Sequence, residues 1–89
     1  MKITEGFKLR TLGNEYIIVG EGLAQVNMNK MISLNRTAAF IWESVEGKDF
    51  TEEDVVDLLL ENYNVERETA ARDVAALLEK WTEAGLLTK

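Results

Sequence analysis

Phe7-Lys8-Leu9-Arg10 alternates apolar and basic side chains, the period of a strand with one face on a core. Leu12-Gly13-Asn14-Glu15 reads as a turn, and Tyr16 to Val19 is a β-branched and aromatic run that ends at Gly20. Two strands, about 7–12 and 15–20, therefore form a hairpin. Leu23 to Asn29 is ambiguous, able either to extend the third strand or to shape one end of a groove beside it. Met31-Ile32-Ser33-Leu34 is long enough only for a third strand, about 30–34, in which Ile32 and Leu34 share one face.

From Asn35 the period changes to that of helices. Asn35 is a good N-cap for a helix over about 36–46, with Ala38, Ile41, Trp42 and Val45 at i, i+3, i+4 and i+7 and a stop near Gly47. Thr51-Glu52-Glu53-Asp54 has the form of a capping box with Asp in the last place, and Phe50 is set to staple onto Val55. The second helix thus spans about 52–62. Ala70, Val74, Leu77, Leu78 and Trp81 fall on one stripe of a third and longer helix, about 66–84. Gly85 ends it, and Leu86-Leu87 folds back. Three strands followed by three helices give an α+β fold, one domain over residues 1–89. So small a sheet has edges. The short third strand leaves backbone donors and acceptors that another extended chain can use.

Composition narrows the chemistry. With no His and no Cys among 89 residues, a Ser-His-Asp triad, a Cys nucleophile, an imidazole or thiolate zinc site and a disulfide framework are all excluded. A catalyst is not expected, nor is a cofactor. Residues 1–34 carry four basic and three acidic side chains, whereas 35–89 carry six basic and thirteen acidic, within a net charge of −6. A nucleic-acid binder needs a basic footprint, and the helical half offers the opposite field. No run approaches the roughly 18 apolar residues of a membrane span, and no basic region followed by an apolar stretch opens the chain. A cytoplasmic protein is expected.

The blocks Phe7-Lys8-Leu9-Arg10, Tyr16-Ile17-Ile18-Val19, Leu34-Asn35-Arg36-Thr37-Ala38-Ala39-Phe40-Ile41-Trp42-Glu43, Asp73-Val74 and Glu83-Ala84-Gly85-Leu86-Leu87 resemble the family of pyrroloquinoline quinone biosynthesis protein D. The resemblance spans nearly the whole chain, and Leu-Asn-x-Thr-Ala-Ala-x-Ile-Trp together with Asp-Val is its most specific part. It implies a winged helix-turn-helix-like fold that recognises ribosomally made, post-translationally modified peptides. Such proteins are not catalysts. They bind the leader segment of a precursor as an added β-strand and deliver it to a modifying enzyme, commonly a radical S-adenosylmethionine maturase or a peptidase.

Carried onto this chain, the resemblance implies a peptide-binding edge at Lys30, Met31, Ile32 and Ser33 and a groove against helix three. There Leu77 and Trp81 lie on the apolar stripe, with Asp73 and Lys80 on one flank. That flank, which continues to Ala84, is the expected groove wall; the other flank, Ala71, Ala75 and Thr82, is the competing wall, and sequence alone does not choose between them. Asp73 has a second reading, bonding a backbone amide or pairing with Arg36. Two rival functions use the same architecture: a winged-helix DNA-binding regulator and a module that dimerises through strand edges. Helix three argues against the first, because Glu66 to Ala84 holds five acidic and three basic residues. The expected partners are thus a leader peptide and its maturase, without nucleic acid or membrane, in a monomer or weak dimer.

Overall fold

The computed structural model describes residues 1–20 and 31–88. Among these residues run five strands and three helices: β1 (Lys2–Ile3), β2 (Phe7–Leu12), β3 (Glu15–Gly20), β4 (Met31–Leu34), α1 (Arg36–Val45), α2 (Glu52–Asn62), α3 (Arg67–Glu83) and β5 (Leu87–Thr88). The architecture is α+β with the main sheet ahead of the helices, and "winged helix-turn-helix" fits it loosely.

β2, β3 and β4 form an antiparallel sheet in that order. The β2–β3 hairpin turns through Gly13-Asn14, with Leu12 opposite Glu15. Gly13 has φ +64°, the positive value that a tight two-residue turn requires of its first residue. A Cβ there would meet open space, so backbone torsion and not crowding selects glycine. The register sets Leu9 beside Ile18 and Ile18 beside Ile32, and all three pack on the core. Leu34, opposite Tyr16, continues that face.

Each helix begins and ends for a local reason. The Asn35 side chain accepts a 2.8 Å hydrogen bond from the Ala38 amide, capping α1. At the other end Glu46 leaves helical geometry and Gly47 turns at φ +77°. Thr51 and Asp54 bond each other's backbone amides reciprocally at 3.1 and 2.9 Å, and three acidic side chains in the first turn of α2 suit its dipole. α3 closes with Leu86 N–H donating to Trp81 C=O and Gly85 N–H to Thr82 C=O, a Schellman turn around Gly85 at φ +80°. The turn drives Leu86 into the core, where it is fully buried.

The core lies between the inner sheet face and the three helices. Trp42 of α1 and Trp81 of α3 meet edge to face, with ring centroids 5.3 Å apart, and both are buried. The buried Trp42 indole N–H has no hydrogen-bond acceptor among the described residues. Phe50 and Val55 are both buried in the same cluster. The chain ends are also joined. β1 pairs with β5, Thr4 N–H donates to Leu86 C=O at 2.8 Å, and the Met1 amine donates to Phe50 C=O at 2.7 Å and to Asp49 at 3.1 Å. This small ribbon departs from the three-strand expectation, since two-residue strands leave no periodicity to read.

Candidate functional site

The sheet order puts β4 at an edge, and no described strand pairs with its outer side. Ile32 and Leu34 turn inward and are partly buried against the core, while Ser33 is exposed on the opposite face. Successive residues of a strand aim their N–H groups to opposite sides. One set of β4 amides and carbonyls is therefore used by β3 and the alternate set faces outward. Met31 lies opposite Val19 in the register, and Lys30 falls outside the described residues.

Where β4 hands over to α1, a cleft of about 390 Å³ opens between the helices. Asn35 stands at its mouth, and Thr37, Ala38 and Ile41 of α1 form one side. Leu59 and Tyr63, from the end of α2, and Val65, from the link to α3, close the far end. The wall opposite α1 is α3, presenting Asp73, Val74, Leu77 and Lys80. The floor is apolar and the polar groups sit at the rim, as in many ligand sites.

The two flanks of α3 differ. Asp73, Leu77 and Lys80 line the cleft, whereas Ala71, Ala75 and Thr82 are exposed and do not. Asp73 is exposed and its side chain makes no hydrogen bond or ion pair with any described residue, so the expected alternative of pairing with Arg36 is not realised. The Lys80 side chain is likewise exposed and unpaired among the described residues. Leu77, between them on the helix, is half-buried. Trp81 stands apart from this set. At 2% exposure it belongs to the core against Trp42 and is absent from the cleft wall, because its place on the stripe points it below the groove.

Sequence reading missed the closed end of the cleft. Tyr63 and Val65 lie in a short interhelical link that reads as a connector, yet among the described residues they are two of the three large apolar side chains that stand exposed, at 36% and 40%. Two such residues inside an otherwise polar link were the available signal. Tyr63 is held in place edge-on by Phe40 of α1, with centroids 5.9 Å apart. A second hollow, about 480 Å³, lies by the β2–β3 turn, where Ser33 and Arg36 face Glu15; Asn35 borders both cavities. No helix among the described residues is long and apolar enough to cross a membrane.

Known proteins resemble this arrangement in fold more than in sequence. No curated protein sequence matches the chain significantly. Among solved structures, one described as TbiB1 in complex with the TbiA(beta) leader peptide superposes with a TM-score of 0.75 at 25% identity. The match covers 98% of this chain and 94% of that one. Another, a lasso peptide synthetase B1 complexed with the leader peptide, has the same fold with a TM-score of 0.74 at 24% identity, covering 99% of this chain and 96% of that one. A family model also matches residues 15–87, taking in β3, β4, all three helices and the turn after α3. By that match, the chain belongs to the family of coenzyme PQQ synthesis protein D (PqqD).

Proposed function

We propose that this protein is a non-catalytic carrier that takes the leader segment of a ribosomally made precursor peptide as an added strand on β4. It then presents the rest of that peptide to a modifying enzyme. The observation that carries the reading is the coincidence of a strand edge that no described strand pairs with and a cleft that begins where that strand ends. An extended peptide bonded to the β4 edge has its alternate side chains directed at α3, where Asp73, Leu77 and Lys80 form the wall. The similar TbiB1 structure, described as a leader-peptide complex, supports the same use of the fold.

The partner enzyme is proposed to be a radical S-adenosylmethionine maturase or another peptide-modifying enzyme, met in the cytoplasm where the precursor is synthesised. No chemistry is asked of this chain. Its contribution is to hold one segment still, raising the local concentration of the rest beside the enzyme. The contact residues proposed are Ile32 and Ser33 with their neighbours Lys30 and Met31 on the edge, and Asp73, Leu77 and Lys80 on the helix.

A pull-down from cells that express the neighbouring open reading frames tests the whole reading, with one short precursor and one maturase expected to be recovered. Amide shift mapping with the recovered peptide is then expected to move Ile32, Ser33, Asp73, Leu77 and Lys80. Shifts confined to Ala71, Ala75 and Thr82 would place the groove on the other flank. Saturable binding to duplex DNA at about 50 mM salt, where electrostatic attraction is exaggerated, would return the regulator reading. A mass that doubles over micromolar concentrations would favour strand-edge dimerisation.

A further inference from the structure

We propose that the cleft selects its peptide by charge. The selected segment carries a basic and an acidic side chain on either side of a large apolar one, at alternate positions, meeting Asp73, Lys80 and Leu77 respectively. This rests on the peptide-carrier reading above and adds to it the class of sequence recognised.

The spacing carries the argument. Asp73 and Lys80 are two helical turns apart, so they project from nearly the same face of α3, separated by roughly 10.5 Å along its axis. Leu77 falls between them, about 6 Å from the first and about 4.5 Å from the second. An extended peptide presents side chains on one face every ~6.7 Å. A strand whose central apolar side chain meets Leu77 therefore sets its neighbours on the same face close to Asp73 on one side and Lys80 on the other. The mismatch of a few ångströms lies within the reach of long, flexible charged side chains. Below Leu77 the floor of Ile41, Leu59 and Val74 is apolar, which suits the central residue.

Electrostatics points the same way. Neither charge at the rim has a partner among the described residues, so each is available to a ligand without breaking an existing ion pair. The two have opposite sign and stand at opposite ends of the wall. Uniformly acidic or basic peptides are thus repelled at one end, and only a peptide of mixed charge satisfies both. Order matters too. Strand pairing on β4 fixes the direction of the peptide, so one order of charges along it is preferred over the reverse.

The test is selection from a phage-displayed library of random twelve-residue peptides, run in parallel on the wild-type protein and on the double variant Asp73→Lys, Lys80→Glu. Both substitutions are at exposed positions, and folding of the variant is checked by circular dichroism before selection. Peptides enriched on the wild type are expected to share the alternating basic, apolar, acidic pattern in one order, and those enriched on the variant to show the reverse order. Synthetic copies are expected to bind the mismatched protein about fivefold more weakly per reversed charge, the upper range for exposed ion pairs, and to lose that preference near 1 M salt. Enriched peptides with no charge pattern, or with the same pattern on both proteins, would overturn the charge rule while leaving the carrier reading intact. No enrichment on either protein would overturn both.

Discussion

The sheet has two edges, β2 and β4, and they are built differently. β2 is six residues long and alternates Lys8 and Arg10 with apolar residues, so charge guards the edge against pairing with another chain. β4 has four residues, and none of Met31, Ile32, Ser33 and Leu34 is charged. The guarded edge runs out at the hairpin turn beside the exposed Leu12, whereas the unguarded one runs into the cleft at Asn35. An open strand edge is therefore not by itself a binding site. What sets β4 apart from β2 is the lack of a charged side chain together with a cleft that opens where the strand ends.

One core holds both edges, through Phe7 and Leu9 of β2 and Ile32 and Leu34 of β4, and the largest effect comes from breaking that core. Trp81→Ala removes a fully buried ring and its contact with Trp42, with an expected loss of 3–5 kcal/mol by the usual cost of emptying an aromatic site, about the total stability of many small domains. Urea unfolding measures it. Because Trp81 lies in the core, peptide binding by whatever fraction stays folded is expected to keep near-native affinity. A specific loss of affinity in folded protein would put Trp81 back in the groove.

Proline separates the two edges next. Of Ile32→Pro and Ser33→Pro, one removes an amide that bonds β3 and destabilises the sheet, and the other removes an outward amide. The second is expected to stay folded by circular dichroism and to lose on the order of 2 kcal/mol of binding, roughly thirtyfold in affinity. Ser33→Ala is expected to bind normally. The same substitution on the guarded edge, Lys8→Pro, is expected to leave peptide affinity unchanged, and a comparable loss there would show that β2 and not β4 receives the strand.

How far these features were legible follows from what each depends on. Alternation and the 3.6-residue period located β2, β3, β4 and all three helices to within a residue or so, because one buried face per element repeats at a fixed interval. The Asn35 cap and the Thr51–Asp54 box are local bonds between residues three apart, and local bonds can be read locally. The β1–β5 ribbon joins residues more than eighty positions apart through two pairs, which no window along the chain contains. The choice between the flanks of α3 was open for a related reason. A helix stripe tells which side is buried but not which shoulder of it faces a gap, and that gap is made by Tyr63, Val65 and α1. Trp81 shares its stripe with Leu77, yet only the packing of Trp42 shows that one is core and the other wall.

The smallest effects test the two shoulders of α3 against each other. Leu77→Ala trims a half-buried side chain at the centre of the wall, and Lys80→Glu reverses a rim charge. Each is expected to weaken the recovered leader by about 1 kcal/mol, the scale of a partly exposed contact, as read by isothermal titration. On the opposite shoulder Ala75 is exposed and lines neither of the two cavities described above. Ala75→Glu adds a charge of the same sign and the same type of side chain as Lys80→Glu, less than two turns away on the same helix. Ala75→Glu lowers the net charge by one and Lys80→Glu by two, so the general effect of added negative charge has the same sign in both variants, and position relative to the cleft is the main contrast between them. Ala75→Glu is expected to change both stability and binding by less than about 0.5 kcal/mol, as surface substitutions away from special features do. If it weakens the leader as much as Lys80→Glu, long-range repulsion and not contact in the cleft governs binding, and the helix wall loses its place in the comparison with β2.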